Sequence, residues 1–551
     1  MPKTKLIIVG GVAGGATAAA RARRVDEEAE IILLERGEYI SFANCGLPYY
    51  VGEVIKKRRD LLVTTPEAFR SRYRIDVRIF HEVTAIDRGN KRITVRNLRS
   101  GETYEEGYDK LILAPGAEPL RPPLPGIDLE GIYNLRNIPD SDRIKEVVDR
   151  KRPETAVVVG GGFIGLEMVE NLVLRGVGTV VVEMADQVLP PLDKEMARLV
   201  QIHLESKGVV CRLGSGVKGF DRRGERLVVS LADGTEIPCD LVILSIGVRP
   251  ENRLAKECGL ALGPSGGIRV NSALQTSDPD IYAVGDAVEV TEFLTGFPLI
   301  SALAGPANKQ ARLAADNALG RREIYRGTQR TSIVKVFDLS VASTGLSEKA
   351  LAAYRLPYLT SYTYSGSHAS YYPGAETLAI KLLFSPGTGK VLGAQIVGKE
   401  GVDKRIDVLA TAGRGGMTVF DLEELELAYA PPFSSAKDPV NIAGFVAANQ
   451  IKGDMETILP GELAQADPDA FVLLDVRTAM EVRMLGALQG AIHIPIDELR
   501  DRLKELDRGK TYVIYCAVGQ RAYLGYRILK QNGFRVKNLS GGYETFKLFQ
   551  E

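Results

Sequence analysis

Two cysteines in this 551-residue chain stand where a thiol can do chemistry. Cys45 lies in Ser41-Phe42-Ala43-Asn44-Cys45-Gly46, a short way past an apolar run that ends in Glu35. Cys516 follows the strand-like run 511–515 (TYVIY) and precedes a helix expected from about Ala522. A thiolate at such a strand end sits among backbone N–H groups, which lower its pKa and would hold a persulfide anion. Cys211, Cys239 and Cys258 have no comparable setting and read as packing residues. Five sparse cysteines make no disulfide framework, and no Cys/His spacing suits zinc, so no metal is expected. This usage fits a reducing cytoplasm, where a cysteine is a reactive thiol or a small apolar residue.

The elements around Cys45 read as a dinucleotide fold. Lys5–Val9 (KLIIV) is a buried strand, Gly10-Gly11-Val12-Ala13-Gly14-Gly15 a glycine turn, and ATAAARARR a helix. The next strand, 31–34, ends in Glu35, placed to accept from a ribose hydroxyl. The loop departs from GxGxxG at Val12, so Gly10, Val12 and Gly15 are its cofactor-facing positions. The pattern recurs with strand 156–159, the full motif Gly160, Gly162 and Gly165, a helix over 166–174, and strand 179–182 ending in Glu183. Glycines let the backbone approach a pyrophosphate, and a helix N-terminus stabilises its charge. Glu183 would accept from a 2′-hydroxyl and repel a 2′-phosphate, favouring NADH over NADPH.

Length calls for three or four domains. Seventy basic and seventy acidic residues balance, so neither nucleic acid nor an acidic membrane surface is an expected partner. The apolar stretch 6–20 is too short to span a bilayer and runs into Arg21, Arg23 and Arg24 without a clear cleavage site; it reads as strand, turn and helix.

With 109–115 (DKLILAP) and 276–286 (TSDPDIYAVGD), residues 1–445 resemble the pyridine nucleotide–disulfide oxidoreductases, flavoproteins with two dinucleotide-binding domains. The resemblance implies FAD in the first fold, with Asp286 at the flavin side, and NAD(P)H in the second, inserted fold. It implies an FAD domain of 1–118 and 255–328, an NAD(P)H domain of 119–254, and an interface domain of 329–447 that makes a homodimer. Members often pair two cysteines with four residues between; here that second position is Tyr50. A lone Cys45 must cycle through a sulfenic acid, or a mixed disulfide or persulfide with an external thiol.

NADH oxidases and peroxidases of the family usually carry a His in the first glycine loop, where this chain has Val12-Ala13. SFANCG and GGVAGGATAAARARR resemble the coenzyme A–disulfide reductase branch. By position, Thr17, Arg21, Arg24, Ser41, Asn44 and Lys437 would then contact coenzyme A, while a lysine of some members falls at Tyr73. The segment from Tyr429 to Pro439 matches one that reaches the partner's flavin and thiol. Tyr429 would donate to a leaving thiolate, with Tyr371 or Tyr372 of SYYPG as a second such tyrosine.

Residues 448–460 read as a linker and 499–506 as a helix. Val476-Arg477, the GAIHIP run 490–495 and Cys516-Ala517-Val518-Gly519-Gln520-Arg521 resemble a single-domain rhodanese over 461–551, in which Cys516 carries sulfur and Arg521 closes the loop. The expected fold class is α/β, with two Rossmann-like dinucleotide-binding domains, an α+β dimerisation domain and a C-terminal α/β rhodanese-like domain. The expected activity is a cytoplasmic FAD- and NAD(P)H-dependent reductase of coenzyme A persulfide, polysulfide or disulfide. Plain coenzyme A–disulfide reductase, NADH oxidase/peroxidase, and a flavin redox sensor with a docking module remain alternatives.

Overall fold

Lys5–Val9 is buried and paired in parallel on both sides, as an apolar strand covered by helices on two faces should be. Residues 3–550 are described in the computed structural model, which divides into two units: Met1–Asp186 with Gly208–Arg330, and Gln187–Lys207 with Thr331–Glu551.

In the first unit, the sheet around Lys5–Val9 runs Ile281–Ala283, Lys110–Leu113, Lys5–Val9, Glu30–Glu35, Asp76–Ile79. Its edge strand at 281–283 comes from far along the chain, so this fold is discontinuous. A second parallel sheet runs Val210–Arg212, Gly178–Val182, Thr155–Val159, Leu241–Leu244, Ile132–Asn134. The chain leaves the first fold through Ala117–Pro119 and returns through Val248–Pro250, and these two crossings pair antiparallel. The helix Ala13–Val25 packs on Ala304–Ala318. Both bury rows of alanines, which let two helix axes approach closely.

In the second unit, a five-stranded antiparallel sheet runs Ser332–Val336, Leu339–Gly345, Val391–Gly398, Thr377–Phe384, Leu359–Gly366. The helices Val402–Gly415, Val419–Glu424 and Pro439–Ile451 share one core with it. The C-terminal sheet is wholly parallel: Thr457–Ile458, Arg535–Leu539, Thr511–Tyr515, Val472–Asp475, Ile492–His493. Its alternation sends Tyr512, Ile514 and Cys516 into one core and Val513 and Tyr515 into the other.

Two sequence expectations need correction. The segment 448–460 is not a free linker, because the helix Pro439–Ile451 runs into it and Thr457–Ile458 pairs with Asn538 and Leu539, burying Ile458. No α-helix covers 499–506; buried Leu499 and Leu506 are held by successive tight turns, with one 3-10 turn at Leu503–Glu505. Residues 187–207 cluster with the second unit. Their helix Lys194–Ser206 carries Glu195, which together with Asp193 binds the fully buried Lys381 at 2.5 and 2.9 Å.

Candidate active site

The two glycine loops are built alike. Gly10 has φ +97°, and a Cβ there would meet the Ala114 carbonyl oxygen at 2.1 Å. A Cβ on Gly15 would meet the Gly10 carbonyl oxygen at 1.7 Å. Val12 has φ −93°, so the departure from the motif does not fall at a position that needs the left-handed freedom of glycine. Gly160 (φ +106°) and Gly165 repeat the geometry, the latter at 2.0 Å from the Gly160 carbonyl oxygen. Space beside the Gly162 Cα is open, as close approach of a ligand to backbone requires.

The acids at the second strands are held the same way in both folds. Glu35 accepts from the Gly11 and Gly37 N–H groups, each at 2.7 Å. Glu183 accepts from Gly161 N–H at 2.7 Å and Ala185 N–H at 2.9 Å. Each carboxylate is thereby fixed with lone pairs to spare for a ribose.

A cleft of about 390 Å³ opens over the first loop, bounded by Gly10–Gly14, Glu35, Asn44, Arg136 and Asp286 among others. Burial pushes the Asp286 carboxyl up, opposed by Arg136. A glycine cradle, a fixed ribose acceptor and an acid at the far wall suit a dinucleotide with a polar ring system. Pyrophosphate would rest on the N-terminus of Ala13–Val25, whose first turn carries no acid.

Cys45 sits on the 3-10 turn Asn44–Gly46 and is exposed. Ser41 positions that turn. Its backbone is left-handed (φ +45°), its N–H donates to Gly11 O at 2.9 Å, and its carbonyl accepts from Val63 N–H at 3.0 Å. Partial burial pushes the Cys45 thiol up, and the charges of Glu167 and Asp286 push it the same way. Glu167 is itself pushed up to about 7, first by burial, and accepts from the Tyr49 hydroxyl at 3.4 Å. Glu167 was not expected from sequence; it lies on the helix Phe163–Leu174, 122 residues from Cys45. Tyr50, at the missing-cysteine position, is buried, and among the described residues no cysteine is in a disulfide.

The expected coenzyme A contacts divide. Arg21 commits Nε and Nη2 to Asp316, each at 3.0 Å, so it ties two helices together rather than presenting a free fork. The cause is a buried aspartate 295 residues away, invisible to local spacing. Arg24 donates Nε to Ala20 O and stays exposed. The Thr17 hydroxyl donates to Asn308, a further polar group on this face missed by sequence reading, with Lys309 and Arg312 exposed on the same helix.

In the second unit, the Tyr371 and Tyr429 hydroxyls are 2.7 Å apart and the side chains are 72% and 48% exposed. Tyr372 instead packs edge-on against His368, so Tyr371 is the partner of Tyr429. Lys437 is exposed nearby in sequence.

Cys516 ends its strand and is 1% exposed. Its Sγ accepts from Gly519 N–H at 3.2 Å, in a loop turned by Gly519 at φ +96°. Arg521 grips Glu481 through two hydrogen bonds of 2.6 and 2.7 Å. That pairing holds the Glu481 carboxyl down at about 2. Arg477 is a brace: fully buried, paired to Asp475 and stacked 4.0 Å over Tyr543. Among the described residues no His/Cys/Asp/Glu group could hold a metal, and no helix is long and apolar enough to cross a membrane.

This layout matches known families. The pyridine nucleotide-disulphide oxidoreductase model matches residues 4–311, and its dimerisation domain residues 331–439. The chain belongs to this family. A rhodanese-like domain follows at 459–548. A solved relative, reduced CoADR-RHD of Bacillus anthracis, is 49% identical over 100% of this chain and 98% of its own, with a TM-score of 0.97. A NAD-dependent persulfide reductase from A. fulgidus is 40% identical over 98% and 99%, TM-score 0.92. The coenzyme A disulfide reductase of Staphylococcus haemolyticus is 37% identical over 80% of this chain and 99% of its own. The chain is thus a redox enzyme of the flavin- and pyridine-nucleotide-dependent kind, with a dimerisation domain and a rhodanese-like module.

Proposed function

We propose that this oxidoreductase reduces sulfane sulfur carried on coenzyme A, with coenzyme A disulfide as a second substrate. The observation that carries the reading is a solitary exposed thiol, Cys45, next in sequence to Asn44 of the cleft, in a chain that also holds Cys516 with its sulfur against the Gly519 N–H. Similarity over the whole chain to a persulfide reductase and to CoADR-RHD supports it.

The Gly10–Gly15 loop and Glu35 would hold FAD, and the Gly160–Gly165 loop and Glu183 would hold NADH in preference to NADPH. Bound FAD supplies an electron pair, drawn from the pyridine nucleotide, for sulfur reduction. Cys45, as thiolate, attacks the outer sulfur of coenzyme A persulfide. The S–S bond of the persulfide breaks, coenzyme A leaves as thiolate, and Cys45 carries the sulfane sulfur. Two electrons then cleave the Cys45 S–S bond, releasing hydrosulfide and restoring the Cys45 thiolate. Tyr429 and Tyr371 of the partner subunit, in a homodimer, donate to the leaving thiolate. Asn44, Ser41, Thr17 and Arg24, with Lys437 of the partner subunit, contact coenzyme A. Cys516, with Arg521 closing its loop, loads sulfane sulfur from a donor, and the pantetheine arm carries it by effective concentration.

Turnover of coenzyme A persulfide and disulfide, with wild type and Cys516→Ser, tests this. Unchanged persulfide turnover with lost transfer from polysulfide supports a loader. Equal performance on all sulfur substrates contradicts it. Small molecules released on denaturation should include FAD and coenzyme A.

A further inference from the structure

We propose that Arg405 is the positioning residue of the Tyr371–Tyr429 pair; the proposal rests on the role given to those tyrosines above. The two hydroxyls belong to exposed loops 58 residues apart, yet they meet at 2.7 Å. Exposed loops carry too few contacts to fix such a distance by themselves. A single buried guanidinium ties both loops down.

Arg405 lies on the helix Val402–Gly415 and is 1% exposed. Its Nη2 donates to Ser367 O at 2.8 Å, in the loop that leads to Tyr371. The same nitrogen donates to Ser434 Oγ at 3.1 Å and Asp438 Oδ2 at 3.0 Å, in the loop that follows Tyr429. Ser434 Oγ donates in turn to Asp438 at 2.6 Å, and Ala369 N–H reaches across to Ser434 O at 3.1 Å. Lys404, the preceding residue, donates to Ala428 O at 3.3 Å, directly before Tyr429. The first turn of one helix therefore grips both tyrosine-bearing segments.

The grip is built into the fold at two more points. Asp438 caps the helix Pro439–Ile451 through Val440 N–H at 3.0 Å, so the arginine's counterion is itself fixed. Gly401 has φ +73°, and a Cβ there would come within 2.1 Å of Arg405 Nη1. A residue other than glycine at 401 would push the guanidinium out of its seat. Arginine suits the role because its planar fork reaches several acceptors in fixed directions; a lysine supplies the charge alone.

The test is a double-mutant cycle on persulfide turnover by the full-length holoenzyme. Arg405→Lys keeps the buried charge paired with Asp438, whereas Arg405→Ala risks unfolding. If Arg405 acts through the tyrosines, Arg405→Lys and Tyr429→Phe each lower kcat/KM by about 100-fold. The double variant is then no worse than the poorer single one. Lys381→Met, which weakens the same unit elsewhere, should multiply with Tyr429→Phe instead. Multiplying losses for Arg405→Lys and Tyr429→Phe overturn the proposal. A crystal structure of Arg405→Lys separates it from the functional reading. Hydroxyls drawn beyond about 3.5 Å, out of hydrogen-bond reach, support positioning; an unchanged pair overturns it. If Tyr429→Phe alone leaves turnover intact, the reading of the tyrosines fails, and the hydroxyl separation still decides what Arg405 does.

Discussion

Replacing Gly165 by alanine tests the division of labour between the two dinucleotide folds. The added Cβ would lie 2.0 Å from the Gly160 carbonyl oxygen and 2.8 Å from Ser245 Oγ. Real Cβ contacts do not fall below 3.0 Å, so the helix Phe163–Leu174 must retreat from the loop by about 1 Å. A displacement of that size at a positioning element costs about 100-fold in rate. The first fold has its own loop and sheet, so FAD held there should be retained in full. The assay is rapid mixing of the FAD-loaded variant with NADH, following flavin absorbance. Bleaching should slow about 100-fold at low NADH, with the flavin-to-protein ratio unchanged. Normal bleaching, or partial loss of FAD with the remaining flavin bleached at the normal rate, would refute the assignment of the second loop to NADH. Gly15→Ala, with its 1.7 Å contact, should do the reverse and yield protein without flavin.

Three further outcomes follow from the electrostatics. Glu167→Gln removes a charge that raises the Cys45 thiol, so the pH midpoint for Cys45 alkylation should move down; a midpoint that stays or rises contradicts this. Glu481 is held at about 2 against an ordinary 4.5, so its pairing with Arg521 stabilises above pH 4.5 and is lost as pH falls towards 2. Glu481→Gln should therefore flatten the acid limb of thermal stability in that window, and an unaltered limb would count against the pairing. Lys381→Met strands Asp193, Glu195 and Glu348 around a site with no solvent exposure. Breaking a buried pair costs roughly 3–5 kcal/mol, which lowers the melting of a unit this size by about 10 °C. Calorimetry showing a shift under about 2 °C would mean that the cluster is neutral.

Local chemistry was legible in the sequence, and long-range pairing was not. The glycine loops, Glu35 and Glu183 fall within single strand–turn–helix units, so spacing alone places them. Cys516 was equally local, at a strand end before a helix. The pairing of Arg21 was not legible because a helical face does not reveal Asp316, which arrives from a different helix. Glu167 and Asn308 were missed for the same reason: each reaches its site from a distant element. Thr457 and Ile458 read as linker because a two-residue strand has no periodicity; only its register against Asn538 and Leu539 shows it. The burial of Arg405 depends on Ser367, Ser434 and Asp438 meeting around it, which no local spacing shows.

The most direct test of the account is Cys45→Ser in the FAD-loaded enzyme, with hydrosulfide release from coenzyme A persulfide measured under NADH. The account predicts that NADH still bleaches the flavin at the wild-type rate, while hydrosulfide release falls to background. Hydrosulfide release at the wild-type rate would show that sulfur is reduced without passing through Cys45.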